Sequence, residues 1–351
     1  MGIQTGTGVF LNKELISKTL SKQYCCPSYL AKIKDKGLYA DIMEAMNVHD
    51  LESQPNYDLY SFNSGYAHKV KSWGNFIDCV AVHEKEKQVV IVLNHLGEFA
   101  RLSSTEFQEQ IFDTKRLNFL KSKGYENILF KGEEQKLSFL QQTNYSHTTR
   151  SLTVIVRPSF TPNDMNQIQL ASERLLATGD NSAVEAWCAR CKLYLYEDVA
   201  NGGCKWRFLQ QQVDAATKFS PNLSRLLALF GNDSRICKSL SESQKMEEIE
   251  DLLSDPQLGE DTIQYCNYLT TYYSFDEVLE AALKRTAWQY CIPELAKVEA
   301  ESVNEGFREG IVNYLKNPEF SGRQLVISNS NILEMGKRVH EVVQQYLQKH
   351  S

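Results

Sequence analysis

Nine cysteines and seven histidines invite a search for thiol chemistry. A thiolate can attack an amide carbonyl, and a neighbouring imidazole can take the thiol proton and later return it to the leaving amine. Cys79 and His95 offer such a pair. Asn75-Phe76-Ile77-Asp78-Cys79-Val80-Ala81-Val82-His83 reads as a strand, Glu84-Lys85-Glu86-Lys87 as a charged turn, and Gln88 to Leu93 as a second strand. An antiparallel hairpin of this kind brings Cys79 and His95 toward one sheet edge. Ser72, Asp78 and Asn94 lie near enough in sequence to orient the imidazole, and Ser72 is assigned that role. The plain alternative is a core cysteine, packed as a small hydrophobe, beside a polar histidine at a strand end.

A rival thiol heads a helix. Tyr24-Cys25-Cys26-Pro27 places Cys25 and Cys26 at the start of a helix whose first turn accommodates Pro27. The helix dipole and its free N–H groups lower a thiol pKa there, which makes Cys25 the alternative nucleophile. Cys188-Ala189-Arg190-Cys191, with Cys204 further on, suggests zinc, but four ligands in two close pairs are needed and no second pair follows. Phosphate-loop, nucleophile-elbow, H-E-x-x-H and EF-hand motifs are all missing. That disfavours ordinary nucleotide hydrolysis, serine esterase chemistry and helix-borne zinc hydrolysis.

The elements that must carry these groups change character along the chain. Pro27–Ile33 and Leu38–Met46 read as short helices, and residues 105–123 as a longer one ended by Gly124. Residues 127–130 and 151–156 add two strands. Beyond Thr161 the spacing predicts helices at 163–177, 181–200, 205–218, 221–230, 243–254, 259–273, 275–289, 293–316 and 331–349, with no fixed repeat. The expected fold is therefore an α+β domain with an antiparallel or mixed sheet over residues 1–158, followed by a mostly α-helical domain over 159–351.

The 351-residue chain is 23% charged and 42% hydrophobic, the composition of a globular protein. Its net charge of −6 argues against general nucleic-acid binding. Residues 1–158 hold 19 basic and 17 acidic side chains, whereas the remainder holds 19 and 27. The acidic half is accordingly expected to recognise a protein partner or substrate. No apolar run approaches the ~20 residues of a transmembrane helix, and no secretory signal pattern opens the chain. Scattered cysteines suit reduced thiols in a cytoplasm.

Cys79-Val80-Ala81-Val82, the charged turn, the apolar strand and His95 resemble the core of the CheD-type chemoreceptor glutamine deamidases, shared with the cytotoxic necrotizing factor toxins. The helix that follows, Gly124-Tyr125 and the strand at 127–130 come in a similar order. This resemblance covers residues 70–156. It implies a β-sandwich-like core in which Cys79 attacks a glutamine side-chain amide of a protein, ammonia leaves, and water hydrolyses the thioester. His95 would be the base, and no metal or organic cofactor is implied. Cys25 at a helix head, with Leu93-Asn94-His95-Leu96-Gly97-Glu98-Phe99 later, is similar instead to YopT-type papain-like cysteine proteases, although Leu93 stands where their aspartate would. Both families would be consistent with a bacterial effector delivered into a host cytosol. The resulting expectation is a cysteine-dependent amide hydrolase acting on a protein; the alternative is a non-catalytic interaction protein on a degenerate hydrolase shape.

Overall fold

The computed structural model describes residues 3–5, 8–10, 25–48, 55–95, 104–132, 136–140, 150–157, 159–197 and 205–272. The chain clusters into two units, one of Met1–Ile16 with Thr271–Ser351, the other Ser17–Thr270. In the first, β1 (Ile3–Thr5) and β2 (Gly8–Phe10) pair antiparallel. The second unit is built on strands β3 (Tyr60–Ala67), β4 (Gln88–His95), β5 (Tyr125–Lys131), β6 (Lys136–Leu140), β7 (Arg150–Arg157), β8 (Arg174–Thr178) and β9 (Leu193–Glu197). Its helices are α1 (Lys36–Ala45), α2 (Val70–His83), α3 (Ser104–Ile111), α4 (Thr114–Ser122), α5 (Pro162–Ala171), α6 (Asp180–Ala189), α7 (Lys205–Ala216), α8 (Pro221–Phe230), α9 (Ser234–Cys237), α10 (Glu242–Leu253) and α11 (Leu258–Tyr272).

The strands form one sheet in the order β6-β5-β7-β4-β3-β8-β9. Six run parallel, and β6 alone is antiparallel, on the outer side of β5. This corrects the expected α+β domain with an antiparallel or mixed sheet: the unit is an α/β, doubly wound, Rossmann-like fold. The segment expected to be mostly helical supplies β8 and β9, so the sheet draws strands from both sides of residue 158. Both fall inside predicted helices, because Leu and Ala in Arg174-Leu175-Leu176-Ala177 are good helix formers and the run is buried throughout.

The hairpin expected around Cys79 is also corrected. Residues 70–83 are a helix, with Trp73, Phe76, Ile77 and Val80 buried at three- and four-residue intervals. A short apolar run is ambiguous between strand and helix until its flanks decide, and here the helix begins upstream at Val70. The charged turn is the return from α2 to β4: Glu84 accepts the N–H groups of Glu86 and Lys87, both at 3.0 Å. Hence β3, α2 and β4 form a βαβ unit with β3 and β4 parallel over eight paired residues. Gly65 permits the close seat of α2, because a Cβ there would meet Leu93 at 3.0 Å and Phe76 at 3.2 Å.

Each sheet face is covered. On one, α1, α5 and the 3-10 turn Pro27–Lys32 pack Leu30, Leu38, Ile42, Met43 and Ile168 against Phe62, Val90, Val92 and Ile155. On the other lies α2, which is in turn packed by α3, α4 and α10. Asp35 and Asp113 cap α1 and α4 through their carboxylates. Among the described residues, no helix is long and apolar enough to cross a membrane.

Candidate functional site

In an open parallel sheet, the loops that leave adjacent strands in opposite directions open a crevice at the carboxyl edge. Here that switch point lies between β3 and β8. The chain leaves β3 toward β4, comes back to lay β8 on β3's other side, and continues to β9. Two helix N-termini, those of α2 and α6, meet the crevice.

They differ in occupancy. At the head of α2 the backbone N–H groups of His68 and Lys69 both donate to the carboxylate of Glu197, at 2.7 and 3.0 Å. Glu197 is 3% exposed and ends β9. The protein thus supplies its own anion there. At the head of α6, Gly179 is the N-cap and, having no side chain, makes no cap bond of its own. Its φ of 74° and ψ of 170° belong to a region essentially reserved for glycine. A Cβ built on Gly179 would meet no atom of the described residues within 4 Å, its chain neighbours aside. Ser182 tightens the turn by donating its hydroxyl to the carbonyl of Thr178.

Three polar side chains line the same edge on the face shared with α5. Tyr66 of β3 pairs in register with Asn94 of β4, and Asn94 with Arg157 of β7. Alternation puts them on the face of Phe62, Val92 and Ile155. Arg157 is held by an ion pair to Asp41, which also binds Lys131 at 2.9 Å. The Tyr66 ring stands edge-on to His68 with centroids 5.3 Å apart. Burial and the nearby Glu197 carboxylate raise its phenol pKa. Asn94 is 8% exposed, and its Oδ1 has no hydrogen-bond partner among the described residues.

The thiols lie elsewhere. Ser72 sits in the first turn of α2 and His95 ends β4, both at the carboxyl edge. Cys79 is nine residues into α2, about 14 Å along a helix that runs away from that edge. It is 1% exposed, and burial, with Asp78 adding to it, pushes its thiol pKa well up. Cys79 lines a cleft of about 430 Å³ between α2, α4 and α10, beside Asp78 and Arg116. Arg116 Nε donates to Asp78 at 2.9 Å, and none of the cleft's described lining residues is a histidine.

Cys25 does head a helical turn, but its thiol points at the Arg190 carbonyl, 3.6 Å away. Burial, then the Glu173 carboxylate, pushes its pKa up to about 11. At this amino edge of the sheet His83 is also no base. Arg174 Nε donates to its Nδ1 at 2.9 Å, and burial followed by that cation lowers its pKa to about 3. Cys188 and Cys191 are buried, and Cys204 lies outside the described residues. Among the described residues no group of three or more His, Cys, Asp or Glu could hold a metal.

Sequence reasoning passed over Gly179 and Glu197. The first left one signal, a gap between the helices expected at 163–177 and 181–200; the second left none, because its partners are backbone groups 128 and 129 residues away.

Among solved structures, one concerned with EarP-mediated arginine glycosylation of translation elongation factor EF-P is similar at 11% identity and a TM-score of 0.33, covering 74% of this chain and 72% of that one. A UDP-forming α,α-trehalose-phosphate synthase from Burkholderia xenovorans is similar at 7% identity and a TM-score of 0.29, over 70% of this chain and 48% of that one. The N-terminal domain of Candida albicans trehalose-6-phosphate phosphatase gives 8% identity and 0.28, over 75% and 47%. This chain thus spans about half the length of the latter two. No curated protein matches. Residues 72–216, from α2 through α7, match a family described as a protein of unknown function, DUF562.

Proposed function

We propose that the protein binds a phosphate-bearing small molecule at the carboxyl edge of its sheet, with the phosphate on the first turn of α6. The observation that carries this reading is Gly179, whose glycine-only conformation starts α6 beside the switch point with no described atom within 4 Å of where its Cβ would lie, chain neighbours aside. Backbone N–H groups and the helix dipole there favour an anion, and a bare glycine lets a phosphate come close. At the head of α2 the Glu197 carboxylate already holds the N–H groups of His68 and Lys69, which disfavours a second anion there. Absence of a phosphate-loop motif fits this type of site, which needs one glycine and a helix end rather than a lysine-bearing loop.

The test is isothermal titration with inorganic phosphate and ribose 5-phosphate against the unaltered chain and Gly179→Ala. A methyl group strains the turn and blocks the approach, so affinity is expected to fall at least tenfold, about 1.4 kcal/mol. Equal affinity in both proteins, or no binding by the unaltered chain, would overturn the proposal.

A cysteine-dependent amide hydrolase is the second reading. Its support is the cleft that Cys79 lines. Against it stand the protonated state that burial imposes on Cys79 and Cys25 and the run of α2 away from His95. A protein-binding role without catalysis would use the same cleft. Iodoacetamide labelling separates the two, because a nucleophilic cysteine reacts fast at neutral pH and an inert one does not.

A further inference from the structure

We propose that the cleft between α2, α4 and α10 binds a small organic ammonium compound of the arylalkylamine class, with its cation on the Asp78 carboxylate and its apolar body over Cys79. This ligand is independent of the phosphate reading.

The cleft's volume, about 430 Å³, is that of a small-molecule pocket. Cys79, Val82, Phe119, Met246, Ile249 and Leu253 give it an apolar lining, in which the buried thiol packs as a small hydrophobe. Asp78 adds a polar group beside them. It is only 9% exposed, yet its two oxygens share a single donor among the described residues, the Nε–H of Arg116, at 2.9 and 3.1 Å. A carboxylate has about four acceptor sites, so Asp78 keeps capacity for a further donor. Burial raises its pKa in spite of Arg116, which leaves it a carboxylate that more positive charge would stabilise. The other charges also favour a cation. Arg116 is already held by Asp78 and the Ile111 carbonyl, and Lys71 by Glu242. Of the lining charges without an ion-pair partner among the described residues, Lys115 is basic, whereas Asp113 and Glu247 are acidic. An anion in the cleft would therefore meet more repulsion than attraction, and an ammonium the reverse.

Isothermal titration with 2-phenylethylamine, 2-phenylethanol and 3-phenylpropionate tests this, because the three share one apolar body and differ in charge. At neutral pH the unaltered chain is expected to bind the amine about tenfold more tightly than the alcohol, and the carboxylate most weakly. In Asp78→Asn, which keeps the shape and loses the charge, amine and alcohol should bind alike. Met246→Trp, which fills the cleft from α10, should abolish binding of both, with urea unfolding as the check that the fold is kept. If the unaltered chain binds no amine, or binds it no more tightly than the alcohol or the carboxylate, the proposal is overturned, and that comparison needs no variant to fold. A preference for the amine that survives Asp78→Asn, or binding that survives Met246→Trp, overturns it as well.

Discussion

Acidification should unfold this protein through His83, and the size of the effect follows from its surroundings. His83 accepts the Arg174 Nε–H at 2.9 Å, while Arg174 also donates to Glu84 at 3.1 Å and to Ser61 at 2.7 Å. Glu173 joins through Lys87 and Lys192, each at 3.1 Å. Protonating His83 would set a cation against the guanidinium and abolish the acceptor, which is why its pKa falls to about 3. The unfolded chain keeps the ordinary value of 6.5. A pKa depressed by folding means that the stability is complete above pH 6.5 and is lost as pH falls toward 3. Between pH 8 and pH 5 the loss from this one group is about 2 kcal/mol, set mainly by the unfolded pKa. Glu84, whose pKa the same guanidinium and two backbone N–H groups lower to about 2 against burial, adds its loss only below about pH 4.5. Urea unfolding at pH 8 and pH 5, on the unaltered chain and on His83→Gln, measures the effect. Glutamine can accept from Arg174 but does not titrate, so its stability should drop about 2 kcal/mol less between the two pH values. Parallel losses in both proteins would refute the assignment.

Two further outcomes follow from geometry. A Cβ at Gly74 would lie 2.4 to 2.6 Å from the Arg116 guanidinium, which is held by Asp78 and by the Ile111 carbonyl at 2.6 Å. Gly74→Ala should therefore strand Asp78 and cost about 2–3 kcal/mol in urea unfolding, and a change below about 0.5 kcal/mol would contradict this. Cys25, at a pKa of about 11, should react with iodoacetamide at pH 7.5 about a hundredfold more slowly than an ordinary thiol. Cys79 should be slower still, and rapid labelling of either, read by peptide mass, would restore the thiol-hydrolase reading.

The legible parts of the fold were those governed by local chemistry. Gly124, at φ 86°, does end the helical segment after residue 123. The strands expected at 127–130 and 151–156 lie within β5 and β7, where β-branched and aromatic residues cluster. What misled was burial. An α2 buried along most of its length and strands buried on both faces lose the polar alternation that tells helix from strand, so Phe76 to Val82 read as extended and Leu175 to Ala177 as helical. One inverted element then changed the topology, turning an apparent hairpin into a parallel crossover and carrying Cys79 away from His95. Arg174 shows a different limit. Its partners come from residues 61, 63, 83 and 84, and no spacing rule connects them.

A crystal structure of the chain soaked with ribose 5-phosphate locates the phosphate. Density for the phosphate within hydrogen-bond reach of the first-turn N–H groups after Gly179 is the expected result. A phosphate found instead in the cleft beside Cys79, or at the head of α2 with Glu197 displaced, would contradict the account.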